Sequence, residues 1–112
     1  MPDGPASPAW TLHETLLEIL RRLNQAAERT PEIPELEFAE LERSMGRFWA
    51  TRSGTVDLPF AVRLLTENGL VETERSPVYA WDRGRMLGER FRITVLGKRY
   101  LLRQLEERGR IL

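Results

Sequence analysis

Residues 57–74, DLPFAVRLLTENGLVETE, decide the fold. Asp57 is a good N-cap, because its carboxylate can accept from the free N–H groups of a first helical turn. Pro59 is tolerated in that turn, where its missing N–H costs nothing. Leu58, Ala61, Val62 and Leu65 fall at helical spacing and predict one inward face. Gly69 suits the left-handed residue that closes a helix. Leu70 or Val71 then opens a strand. A helix, its stop signal and a strand thus follow one another with no linker between them.

The other half of that strand's pairing lies in ERFRITV, residues 89–95. Phe91, Ile93 and Val95 alternate with Arg90, Arg92 and Thr94, which predicts a strand with one apolar side. Between the two strands runs a basic loop. Pro77 must break the first strand, bulge it or sit on an edge, and Gly84 and Gly88 loosen the chain. The two strands make a hairpin. Thr94 can cap a last helix whose apolar stripe is Leu96, Tyr100, Leu101, Leu105 and Leu102. Gly97 weakens that helix locally but fits a crowded strand-to-helix junction, and Gly109 ends it.

Two helices are expected upstream. Thr11 and Glu14 form a capping box, followed by Leu12, Leu16, Ile19, Leu20, Leu23 and Ala27 at three- and four-residue steps. Thr30-Pro31 ends this helix. Pro34 suits the first position of a second helix, with Leu36 or Phe38, Ala39, Leu41 and Met45 as its stripe and Gly46 as its close. Phe48 and Trp49 fall in the connector that follows. Glu35, Glu37, Glu40 and Glu42 read as a solvated helix face rather than a metal or catalytic cluster. Residues 1–10, rich in Pro and Gly, read as a disordered lead, which leaves 11–112 as a single domain.

The composition narrows the functions. With 112 residues, 41% hydrophobic and 30% charged, the chain is of ordinary globular type. No apolar run is long enough to span a bilayer, and residues 1–10 lack the basic and apolar regions of a signal peptide. There is no Cys, which removes disulfides, thiolate catalysis and Cys-ligated zinc. These features favour a cytoplasmic protein. No enzyme, metal or cofactor is expected: the one His, His13, lies in the first turn of helix 1, there is no Gly-rich phosphate loop, and Ser44 and Ser53 have no base nearby. Charge is uneven although the net is zero. Residues 1–70 hold 7 Arg and 11 Asp+Glu, whereas residues 75–103 hold 8 Lys+Arg and 2 Asp+Glu. Such asymmetry suits one face that meets a polyanion or a twin subunit.

Two blocks of the sequence resemble the winged helix-turn-helix family. In DLPFAVRLLTENGLVETE, Leu65, Gly69, Leu70 and Val71 match the family's third helix running directly into its wing. In FRITVLGKRYLLRQLEE, residues 91–107, Phe91, Ile93, Thr94 and Gly97 match its strand exit into a closing helix. The resemblance spans roughly residues 11–108. It implies a mostly helical α+β fold with three helices, a β-hairpin wing and a C-terminal helix. It also implies a transcriptional regulator whose third helix enters the major groove of duplex DNA while the wing touches the backbone or minor groove. On that basis the DNA-contacting residues are Arg47, Arg52, Phe60 and Arg63, with Arg83, Arg85, Arg90 and Arg92 on the wing.

One part of the chain departs from the family. The third helix turns Pro59, Phe60, Arg63, Leu64 and Glu67 outward, and only Arg63 is a good donor to a base edge. Either DNA binding is led by the wing, or Phe60 and Leu64 contact a protein partner in a module that does not bind DNA. A third alternative is that a neighbouring segment covers them. Arg90 and Arg92 have an alternative too: pairing with Glu72 or Glu74 on the adjacent strand. Apolar stripes at both ends of the chain suggest a homodimer through Leu16, Leu20, Leu23, Tyr100, Leu101 and Leu105. The same residues could instead pack helix 1 against the last helix within one subunit.

Overall fold

The computed structural model describes residues 8–50, 56–73 and 89–111. Among them are four helices and a small sheet: α1 (Pro8–Arg29), β1 (Leu36–Glu37), α2 (Phe38–Ala50), α3 (Leu58–Glu67), β2 (Val71–Thr73), β3 (Arg90–Ile93) and α4 (Val95–Ile111). The strands are antiparallel in the order β1-β3-β2. The fold class is α+β and mostly helical.

Strand β3 is the hub. Phe91 sits opposite Leu36 on one side and Thr73 on the other, and Ile93 sits opposite Val71. Phe91, Ile93 and Val71 are buried, as the two-residue period requires. The expected third inward residue of this strand, Val95, is 69% exposed. The strand stops at Ile93, and Val95 already belongs to α4, so the alternation no longer governs its direction.

Helix α1 lies at the centre, packed on α2, α3, α4 and β3. Ile19, Leu20 and Leu23 are fully buried as expected, and Leu17 and Thr15 join them. Partners on several sides bury a wider arc than a single stripe. The indole N–H of Trp49 donates to the Thr15 hydroxyl at 3.1 Å, which satisfies that buried oxygen. The helix begins at Pro8, so Thr11 lies within it rather than at its N-cap.

The second helix differs from expectation at both ends. Leu36 and Glu37 are a strand, not a first turn, and the helix starts at Phe38. The Phe38 N–H donates to the Glu89 carbonyl at 3.0 Å, which ties this start to the chain entering β3. The helix then runs through Gly46 to Ala50 and buries Phe48 along with Phe38, Leu41 and Met45. Burial of Phe48 outweighs the weak stop signal of one glycine. A Cβ at Gly46 would meet nothing within 4 Å. Gly46→Ala is therefore expected to stabilise the protein by about 0.5–1 kcal/mol, measured by urea unfolding; a loss of stability would mean that the helix does not continue through this position.

Helix α3 follows its sequence closely. Leu58, Ala61, Val62 and Leu65 are buried. Asp57 is the N-cap by position, although its side chain makes no capping bond. Gly69 has φ 74°. The Leu70 N–H donates to the Leu65 carbonyl and the Gly69 N–H to the Thr66 carbonyl, the two bonds of a Schellman closure. Thr94 joins this closure to α4. Its hydroxyl donates to the Gly69 carbonyl at 2.6 Å and accepts from the Gly97 N–H at 2.9 Å, while its own N–H donates to the Leu70 carbonyl at 3.1 Å.

Candidate functional site

The outer face of α3 is apolar at its middle. Phe60 is 48% exposed and Leu64 half-buried. Arg63 lies 3.3 Å from Glu67 in an i,i+4 pair with both side chains about half exposed. Such a pair holds the guanidinium by only about 0.3–0.5 kcal/mol, so it can be exchanged for a phosphate. Leu64 also lines a groove of about 660 Å³ with Leu16 of α1, Leu70, and Leu96 and Tyr100 of α4. Arg99 and Arg103 stand at its edge.

The two β3 arginines both have acidic neighbours. Arg92 Nε donates to Glu72 Oε1 at 2.6 Å, and Arg90 Nη2 donates to Glu37 Oε1 at 3.0 Å. Each pair stands directly opposite in the strand register, where opposite charges attract. Arg92 and Glu72 therefore follow the alternative of cross-strand pairing. Arg90 pairs across the other edge of β3, with a strand that the sequence did not disclose. These pairs are exposed, so either arginine is expected to cost less than about 1 kcal/mol when replaced by Ala. A larger loss in urea unfolding would show that the pair carries more of the sheet than its exposure allows.

The other expected arginines divide between the described residues and the rest. Arg47 lies on α2, exposed, and pairs with no described carboxylate. Arg52, Arg83 and Arg85 lie outside the described residues. The acidic residues expected on one helix face are divided: Glu37 lies in β1 and holds Arg90, and Glu40 of α2 accepts from the Glu37 N–H at 3.3 Å. Among the described residues no group of three His, Asp or Glu is placed to hold a metal, and no helix is long and apolar enough to cross a membrane.

The expected interface residues separate into two groups. Leu20, Leu23 and Leu101 are at most 1% exposed. They fill the chain's own core and offer no surface to a twin, because a small domain spends its largest apolar side chains internally. Leu16 and Tyr100 are half-buried, and Leu105 is 40% exposed. The expected stripe of α4 is thus reduced to Leu101 in the core with Tyr100 beside it. Val95, Leu96, Leu102 and Leu105 are all exposed on α4, leaving only Ile33 and Phe60 as other exposed large hydrophobics among the described residues.

A second basic surface went unnoticed in the sequence. Arg22 and Arg29 of α1, Arg43 and Arg47 of α2, and Arg90 of β3 line a groove of about 550 Å³. Arg22 and Arg29 are seven residues apart, and Arg43 and Arg47 four apart, which is same-face helical spacing. That signal was legible, but nothing in the chain order places α1 beside α2 in this orientation. The chain matches no family model, no curated protein and no solved structure in comparisons with known proteins.

Proposed function

We propose that the chain is a winged helix-turn-helix domain that binds duplex DNA as a transcriptional regulator, with contacts led by phosphates rather than by base edges. The observation that carries this reading is the element order: three helices with a short strand between the first two, then a β2–β3 antiparallel pair and a closing helix, with β3 in the middle of the sheet. In a winged helix the long connection between the last two strands is the wing. Here residues 74–89 form that connection and include Arg75, Arg83 and Arg85. Guanidinium groups on such a loop suit phosphate oxygens or a narrow minor groove. The outward residues of α3 supply one donor, Arg63, so sequence preference is expected to be modest.

The test is fluorescence anisotropy with a mixed-sequence duplex over a salt series. Micromolar or tighter binding at low salt is expected, with a log–log slope equivalent to several phosphates. Replacing Arg83 and Arg85 by Ala should weaken binding on every sequence alike. Glu37→Gln should tighten it, because Arg90 would keep its charge and lose the carboxylate 3.0 Å away. Absence of binding at low salt would overturn the reading.

A homodimer belongs to the same proposal, with α4 as its contact. Val95, Leu96, Leu102 and Leu105 are four of the six exposed large hydrophobics among the described residues. Leu102→Glu with Leu105→Glu should convert a dimer to a folded monomer in light scattering; a wild-type chain that is monomeric at high micromolar concentration removes this part. The second reading, a protein-interaction module, is favoured by the apolar groove that joins Leu64 to Leu96 and Tyr100. Phe60→Ala and Leu64→Ala would then weaken a partner contact with little change in unfolding free energy.

A further inference from the structure

The arginine-lined groove between α1 and α2 lies apart from the α3 face and from the exposed leucines of α4, although it shares Arg47 and Arg90 with the expected DNA contacts. We propose that it is a binding site for a small phosphorylated ligand. Five guanidinium groups converge on it in a chain whose net charge is zero. Arg29, Arg43 and Arg47 are exposed, and none of them pairs with a described carboxylate. Arg29 stands in the last turn of α1. Two carboxylates also line the groove, those of Glu35 and Glu40; the second already accepts from the Glu37 N–H. Arg22 and Arg90 are paired with Glu18 and Glu37, so the excess is the one cation by which Arg29, Arg43 and Arg47 outnumber Glu35 and Glu40.

Arg22 is held differently. Its Nη1 donates to the Ser44 hydroxyl across the two helices. Its Nε is 2.9 Å from Glu18 Oε2, yet that buried N–H is not aligned for a hydrogen bond. Arg22 is thus braced against Glu18 and Ser44, while Arg29, Arg43 and Arg47 have no described carboxylate partner. The guanidinium fork matches phosphate oxygens two at a time. Ala26, Ile33 and Leu36 provide apolar surface in the same groove, and Ile33 is 54% exposed. A volume near 550 Å³ falls within the range of small-ligand sites. Several cations with apolar surface beside them suit an organic phosphate rather than a simple anion.

DNA phosphates share this chemistry, and the experiment separates the two sources. Isothermal titration of the full chain with ATP, and separately with inorganic pyrophosphate, is compared with duplex binding, for the wild type and for Arg43→Ala with Arg47→Ala. Both replaced residues are exposed and unpaired among the described residues, so unfolding curves should be unchanged and serve as the control for folding. Expected is sub-millimolar binding of ATP, with pyrophosphate binding more weakly, and both lost at least 10-fold in the double variant. Arg43→Lys with Arg47→Lys should recover part of it, since charge returns without the fork. No binding of either probe at low salt, or binding that the double variant leaves intact, would overturn the proposal. Loss of duplex binding alone would also overturn it and make the groove a DNA-backbone contact. Failure of the duplex to bind at all would count against the DNA reading and not against this site.

Discussion

Phe91→Ala is expected to remove about 3–5 kcal/mol from the unfolding free energy, the usual cost of emptying a buried aromatic site. Phe91 is fully buried in the central strand, and its ring meets Phe38 edge-on, with centroids 6.3 Å apart and planes at 63°. That arrangement adds to the area term, because an aromatic edge is positive and a face negative. The residue also stands opposite both Leu36 and Thr73, so the void would open where all three strands meet. A domain of this size holds about 5–15 kcal/mol in total, so the loss would consume between about a fifth and all of the stability. Urea unfolding followed by circular dichroism measures this, with Phe91→Leu as the milder control. A loss below about 1 kcal/mol for the Ala variant would mean the ring is not enclosed by the core. The arginines of β3 depend on the same residue, since Arg90 and Arg92 are held outward only while Phe91 is held inward.

Gly97→Ala tests the junction behind α3, and here two physical effects have opposite signs. Helix propensity favours Ala over Gly by about 1 kcal/mol. Packing opposes it: a Cβ at Gly97 would lie 2.1 Å from the Leu70 carbonyl oxygen and 2.7 Å from Ile93 Cγ1. The first of these is backbone, already fixed by the Thr94 N–H and by the Schellman closure. It cannot swing aside as a flexible side chain would. The clash should win, with a net loss of about 3 kcal/mol, at the upper end for an overpacked site. The same measurement on Gly46→Ala, where propensity acts without any clash, gives the comparison. A Gly97→Ala variant as stable as the wild type would show that α4 does not approach the end of α3 this closely. Because Thr94 and Gly97 set where α4 leaves the sheet, a shifted junction should also move Leu96 and Tyr100 relative to Leu64 and reshape the apolar groove.

Elements whose signals are local were legible in the chain. In residues 57–74 the inward face of α3, the position of its N-cap and the left-handed Gly69 are all read within a few residues of one another, and no distant partner can reverse them. The alternation of Phe91 and Ile93 with Arg90 and Arg92 is equally local. Gly97 was legible as a crowded site because a helix rarely keeps a glycine in its first turn without a packing reason. The cross-strand pair of Arg92 and Glu72 follows from a hairpin register and was visible as one of two options.

Tertiary structure decided the rest. Leu36–Glu37 becomes a strand only because β3 offers a free edge, and two residues hold no periodic signal of their own. Phe48 extends α2 past Gly46 because its ring joins the buried core. An apolar residue on an amphipathic helix has the same appearance in sequence whether it meets its own core or another chain. Leu20, Leu23 and Leu101 go to the core, while Leu102 and Leu105 stay outside, because α1 lies centrally and α4 covers it along one side only. The arginine groove arises in the same way: Arg22, Arg29, Arg43 and Arg47 are spaced for two separate helix faces, and only the packing of α1 against α2 turns those faces toward one another.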